Sequence, residues 1–143
     1  MMAMAARYFK PYDIAYASKC MDAAATSWEF LTTNPEDKRW RQGDFQTGAY
    51  GTSDPDDRMW AAAEMWETTG EEKYLQELET RIRDYQPRRR RGQAAPSATF
   101  KVDADWDWGN VRNLAVFTYV LSKREGRDPE FKSRLKDIEI LVE

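Results

Sequence analysis

The connection at Thr69-Gly70 most constrains the fold of this chain. Residues 55–69 have the spacing of a helix, and helical spacing resumes at residue 71. Because two residues cannot cross the length of a helix, the two segments must form an antiparallel helical hairpin. Asp54 and Pro55 suit the start of the first helix, and Gly70 suits its end. The sequence therefore predicts an all-α chain built from helical hairpins.

Similar start and stop patterns recur along the 143 residues. Asp13 is placed to cap a helix, Pro11 to end the one before it, and Gly126 to end a later one. Tyr16 and Phe30 lie outside the main apolar face of the second helix, which predicts packing on more than one side. The predicted helices cover residues 2–9, 14–32, 55–69, 71–82, 111–124 and 130–143.

Two long loops separate these helices, at residues 34–53 and 87–108. Loops of this length are uncommon in compact domains and are often functional. Tyr50 lies in the first, between two glycines, and Trp106 and Trp108 alternate with aspartates in the second. Aromatic faces beside carboxylates suit the stacking and hydrogen bonding of a sugar. An alternative for Tyr50 is packing beneath its own loop.

Composition excludes several kinds of site. The chain has no histidine, which removes histidine triads, histidine metal sites and histidine bases. Cys20 is the single cysteine, so an internal disulfide is impossible. The aspartates at 103–107 lack the glycine and glutamate of an EF-hand at the required offsets, and we expect no metal and no cofactor.

Charge and hydropathy indicate neither a nucleic acid nor a membrane as partner. The run Arg88–Arg91 is basic, but the net charge is −3 and no nucleic-acid motif accompanies the run. We therefore expect a solvated loop there. The chain has no run of 18 apolar residues, and its first ten residues lack the pattern of a signal peptide.

Four stretches together resemble the middle of the catalytic domain of family-nine glycoside hydrolases, the endoglucanases and cellobiohydrolases that cut β-1,4-glucan. They are AMAARYFKPYD (3–13), residues 16–35 with A-x-x-C-x-x-A-A and a late Trp, TGAYGTSDPDDRMWAAAEMWETTGEEKYL (47–75) and WGNVRNLAVFTYVLSKREGRDP (108–129). The third is the strongest match, and the four stand in the family's order. They cover nearly the whole chain, which we interpret as a single domain, residues 1–143.

The resemblance implies that the helical hairpins form part of an (α/α)₆ toroid. It also implies that the partner is a β-glucan oligosaccharide or cellulose. Tyr50, Trp106 and Trp108 are the residues expected to stack on glucose rings. Asp54 and Asp57 are the expected polar contacts.

The residues that would cut the substrate are missing from the pattern. The family's D-A-G-D aspartates and its general-acid glutamate have no counterpart here, and inverting hydrolysis needs an acid and a base. We therefore assign no catalytic residue. Any hydrolysis by the chain would have to use one of the carboxylates beside the aromatics: Asp54, Asp56, Asp57, Glu64, Asp103, Asp105 or Asp107.

Three interpretations remain open. The first is a cellulase fragment or truncated relative, and the second is a non-catalytic helical carbohydrate-binding or self-associating module. The third is an unrelated helical interaction protein that uses residues 88–91. Two sequence departures bear on the first: Arg58 follows Asp56-Asp57 where the family commonly has Asp-Glu, and the family's W-x-D-V reads Trp108-Gly109-Asn110-Val111.

An incomplete ring would leave apolar flanks open. We expect two of them, one at residues 2–9 with the second side of the helix at 14–32, and one at 138–142. Exposed apolar patches of several hundred Å² are rare in monomers. The chain is therefore expected to form a homo-oligomer, a two-fold dimer, or else a monomer with rearranged terminal helices. Secretion is what the resemblance implies.

Overall fold

The fold is that of a computed structural model, which describes residues 1–36, 54–84, 109–131 and 133. Regular structure in these ranges is entirely helical, so the predicted all-α class is confirmed. None of the described helices is both long and apolar enough to cross a bilayer. The helices are α1 (Met2–Phe9), α2 (Ile14–Thr33), α3 (Pro55–Thr69), α4 (Glu72–Asp84) and α5 (Arg112–Leu121), and residues 129–131 and 133 are also helical.

Two helix termini follow directly from local sequence. The Tyr16 amide donates to Asp13 Oδ1 over 2.8 Å, which satisfies one free donor at the start of α2. Gly70 ends α3 with φ 75°, the left-handed conformation that glycine adopts without steric cost. Both termini are as the sequence predicts.

The predicted extent of α5 is wrong at its end, because α5 stops at Leu121 and not at residue 124. Ser122 is extended, and its hydroxyl donates to the Glu67 carboxylate over 2.5 Å. Arg124 Nε donates to the carbonyl of Glu67 over 2.9 Å. These bonds to the last turn of α3 take the place of a further turn of α5.

The core lies around α3, which packs against each of the other four helices. Trp66 of α3 is almost fully buried, and its ring centroid lies 5.8 Å from that of Tyr119 on α5. Alanines at 62 and 63 let neighbouring helices approach closely. The largest fully buried side chains in the described ranges are those of Trp66, Tyr119, Met59, Leu78, Val116 and Asn113.

The second apolar side of α2 is exposed, which corrects the prediction that this helix packs on more than one side. Tyr16 is 46% exposed and Phe30 is 60% exposed. The buried residues of α2 are small and lie on one face: Ala17, Cys20 and Ala24. No helix in the described part of the chain covers the other face.

Candidate functional site

Hydrogen bonds between helices set the directions of α3, α4 and α5. Three contacts in register run from α3 to the α5 region: Asp56 to Val111, Glu64 to Thr118, and Glu67 to Ser122. The two helices are therefore parallel. The short link at residues 70–71 makes α4 antiparallel to α3, so α4 ends at the same end of the bundle at which α3 and α5 start.

The end of α2 reaches the same place, because Arg58 in the first turns of α3 donates to two carbonyls there. Residues 36, 54, 84 and 109 thus lie at one end of the helix bundle, which we call the junction end. Segments 37–53 and 85–108 both leave from it and return to it. The two predicted long loops and all predicted binding residues belong to, or adjoin, these segments.

Arg58 is a buried cation at the junction end that binds residues of two helices. The residue is 5% exposed, and its guanidinium donates to Leu31 O over 2.9 Å, to Asn34 O over 2.7 Å and to Asp54 Oδ2 over 2.7 Å. The last carbonyls of a helix have no partner within the helix, and a cation beside them also favours the helix dipole. Arg58 therefore closes the end of α2 and pairs with Asp54 at the same time.

Asp54 does not make the capping bond that its position predicts, and Asp56 instead binds the start of another helix. Asp54 stands at the N-cap of α3 but makes no capping bond with its side chain there. Asp56, which is buried, accepts from the Val111 amide over 2.8 Å at the start of α5. Asn110 lies just before the N-cap residue Val111, and its side-chain oxygen accepts from the Arg112 amide over 3.4 Å.

Asp57 is the exposed carboxylate of this trio. Partial desolvation, and then the neighbouring carboxylates of Asp56 and Asp54, raise the pKa of Asp57 above its ordinary value. The side chain of Asp57 is the most accessible of the three to a ligand, and its charge is held beside two like charges.

Glu64 is more deeply buried than Asp54 and Asp57. It is 4% exposed, and its carboxylate accepts from Arg7 over 2.9 Å, from the Trp60 indole over 3.2 Å and from Thr118 over 3.0 Å. These partners come from α1, α3 and α5, so Glu64 joins three helices. No sequence pattern indicates this contact of Glu64, because Arg7 is 57 residues away.

Of the predicted binding residues, Asp54 and Asp57 are described and both lie at the junction end. Tyr50, Trp106 and Trp108 lie outside the described residues, as do Asp103, Asp105, Asp107 and the arginines at 88–91. Trp108 directly precedes Gly109 in the sequence, and Tyr50 is four residues before Asp54. Within the described ranges, no group of three or more Asp, Glu or Cys side chains is arranged to hold a metal ion.

The family model described as glycosyl hydrolase family 9 matches residues 1–140. An endoglucanase D from Acetivibrio thermocellus is 49% identical over 138 residues, 96% of this chain and 20% of that protein. A cellodextrinase from Butyrivibrio fibrisolvens is 33% identical over 88 residues, 58% of this chain and 16% of that protein. The chain thus spans about a fifth of the curated relatives it matches.

Solved structures agree on the fold. A metagenome-derived family 9 endoglucanase superposes with a TM-score of 0.67 at 33% identity, over 95% of this chain and 22% of that one. A Bacteroides ovatus family 9 protein gives a TM-score of 0.70 at 22% identity, over 99% and 25%, which supports the fold alone. These neighbours are (α/α)₆ barrels, and the helices described here fit part of such a ring. The predicted fold and the predicted resemblance are both confirmed.

Proposed function

Because this chain belongs to glycosyl hydrolase family 9, we propose that it forms part of a cellulase-type glycoside hydrolase of the endoglucanase type that acts on β-1,4-glucan. The observation that carries the proposal is the close similarity of nearly the whole chain to an endoglucanase. The chain corresponds to about a fifth of that relative. Its own proposed contribution is therefore a portion of the glucan-binding surface.

The binding surface is proposed to lie at the junction end. Tyr50, Trp106 and Trp108 would stack on glucose rings, since a flat aromatic face suits the CH-rich face of a sugar. Asp57 would accept hydrogen bonds from sugar hydroxyls, because its carboxylate is exposed. Asp54 would be the weaker contact, because one of its oxygens is already bound by Arg58. What supports this location is that both aromatic-bearing segments start and end there.

Hydrolysis by the isolated chain is expected to be weak or absent. The D-A-G-D motif is missing from the 143 residues, and the loss of general acid–base groups typically lowers a rate by about 10²–10⁴-fold. Two described carboxylates, those of Asp56 and Glu64, are buried in structural bonds. The alternative function is a non-catalytic helical module that binds carbohydrate or associates with itself.

The test is a titration of the chain with cellohexaose, followed by tryptophan fluorescence. Binding should change the emission, and Trp108→Ala should abolish the change because its indole would stack on the sugar. Trp28→Phe is the matched control. Trp28 packs edge-to-face on Tyr74, with ring centroids 4.9 Å apart, and lies within the helices. A full response in Trp108→Ala, or none in the unmodified chain, would contradict the proposed site.

We also propose that the chain forms a homo-oligomer in solution. The support is a set of large apolar side chains on α1, α2 and the turn between them that are 45–86% exposed. Covering apolar surface contributes about 25 cal/mol per Å² before the cost of association. The exposed side chains are Met1, Met2, Tyr8, Phe9, Tyr12, Ile14, Tyr16 and Phe30.

A further inference from the structure

Arg58 contacts both ends of segment 37–53. On one side its guanidinium holds the end of α2 through Leu31 O and Asn34 O, and it also lies 3.5 Å from Glu36 O. On the other side it holds Asp54 Oδ2. A single buried side chain therefore joins the residues that precede the segment to the residue that follows it.

The chemistry of arginine suits this task. A guanidinium has five N–H donors in a rigid plane, and here they reach a carboxylate and helix-terminal carbonyls together. Lysine would carry the same charge on a single ammonium group, without several N–H donors in fixed directions. Because Arg58 is buried, its bonds are shielded from water, and their loss would leave carbonyls at the end of α2 without that partner.

We propose that Arg58 is a positioning residue for glucan binding. It fixes the separation of residues 36 and 54, between which Tyr50 stands in the sequence. Holding the two ends of a segment together removes part of the entropy that binding would otherwise cost. This inference rests on the proposed function, since it names a residue that serves the same surface without touching the sugar.

Arg124 provides a matched control. Like Arg58, Arg124 donates to carbonyls at the end of a helix. Its acceptors are the carbonyls of Glu67 and Thr68 in the last turn of α3, far from the junction end. Arg58→Ala and Arg124→Ala each remove a guanidinium from backbone carbonyls. Both should lower the melting temperature. If Arg58 positions the binding surface, its replacement alone should also weaken the affinity for cellohexaose.

The experiment measures cellohexaose affinity by fluorescence at a temperature well below both melting transitions. We expect a loss of about tenfold for Arg58→Ala, a smaller loss for Arg58→Lys, and less than about twofold for Arg124→Ala. An equal loss in both alanine variants would reduce Arg58 to a stabilising residue and overturn the proposal. Unchanged affinity in Arg58→Ala would overturn it as well.

A second measurement separates this proposal from the proposed function. Spin labels at Glu36→Cys and Ser53→Cys, with Cys20→Ala, report the distance between the two ends of the segment without any sugar. Arg58→Ala should broaden the distance distribution, and Arg124→Ala should leave it narrow. If the unmodified chain binds no cellohexaose, the proposed function fails, and a broadened distribution still shows that Arg58 fixes the ends. An unchanged distribution overturns the positioning role.

Discussion

The carboxylate of Asp56 accepts a hydrogen bond from the backbone amide of Val111 over 2.8 Å, 55 residues away. Helix α5 makes no side-chain capping bond at its own N-cap. Its first turn therefore depends on a side chain of α3, and the two helix starts are held in register. The junction end is organised by this bond and by Arg58.

Replacing Asp56 tests the contribution of this bond to stability. Asp56→Ala should lower the free energy of unfolding by about 1–2 kcal/mol, because it leaves a partly buried amide without its acceptor. Asp56→Asn keeps an acceptor oxygen and should lose less. Thermal melting measures both. Asp13→Ala is the control, since Asp13 makes a capping bond of equal length at an exposed position; a larger loss there than at Asp56 would contradict the argument.

The buried ion pair of Glu64 and Arg7 can be tested by removing its charge. Glu64→Gln keeps the shape but leaves Arg7 without its anion, so the free energy of unfolding should fall by about 1–3 kcal/mol. Urea denaturation measures the change. Glu77→Gln removes the partly exposed pair with Arg81, 2.6 Å apart, and should cost at most about 0.5 kcal/mol. Equal losses of unfolding free energy in the two variants would show that the burial of Glu64 does not strengthen its ion pair.

Gly70 and Gly126 allow the cost of an unfavourable backbone conformation to be measured separately from the cost of steric overlap. Both have positive φ, 75° and 90°, and alanine at either position should cost about 1–2 kcal/mol for that reason. A Cβ at Gly70 would also overlap the Arg124 guanidinium, whereas one at Gly126 would meet Leu75 Cδ2 at an ordinary 3.7 Å. Gly70→Ala should therefore lower the melting temperature more than Gly126→Ala. The reverse order would refute this account of the crowding.

Asp57 should make stability depend on pH. In the folded chain the pKa of Asp57 lies above its ordinary value of 3.8. The folded state therefore binds the proton more tightly than the unfolded state does. Asp57 therefore lowers stability as the pH rises from below 3.8 through the raised pKa. Asp57→Asn removes this effect. The melting temperature of the variant relative to the unmodified chain should be higher at pH 7 than at pH 3, and a constant difference would contradict the prediction.

Self-association can be tested at the exposed surface of α2. Light scattering at micromolar concentration should give a mass above that of one chain, 16.8 kDa. Phe30→Ser should lower that mass, because Phe30 is exposed and apolar. Glu29→Ser changes an exposed neighbour that is not apolar and should leave the mass unchanged. A mass of one chain that does not depend on concentration would exclude the oligomer.

Much of the fold could be predicted from sequence because its determinants are local. The cap at Asp13 and the stop at Gly70 each depend on residues within one turn, and both are present. The end of α5 was mispredicted because it depends on Glu67, 55 residues before Ser122. Bonds of that sequence separation leave no periodic pattern.

At the candidate site, too, the features that depend on local sequence could be predicted and those that depend on long-range contacts could not. Aromatic residues between helices mark the predicted loops at 34–53 and 87–108, and the family resemblance implies Asp57 as a polar contact. Arg58 was noted only as a departure, although its spacing of four from Asp54 on one helix face matches an ion pair. Its bonds to the end of α2 could not be foreseen, since they require knowing where α2 ends in space.

The placement of all four chain junctions at one end of the bundle has a consequence for how such a chain can change over generations. Insertions, deletions and exchanges within segments 37–53 and 85–108 leave in place the contacts that join α3 to α4 and to α5, because those contacts are made by residues outside the two segments. The segments can therefore be grafted between relatives, provided that Asp56 and Arg58 are transferred with a compatible first turn of α3. The sequence between the junctions can therefore vary while the core of the helices stays the same.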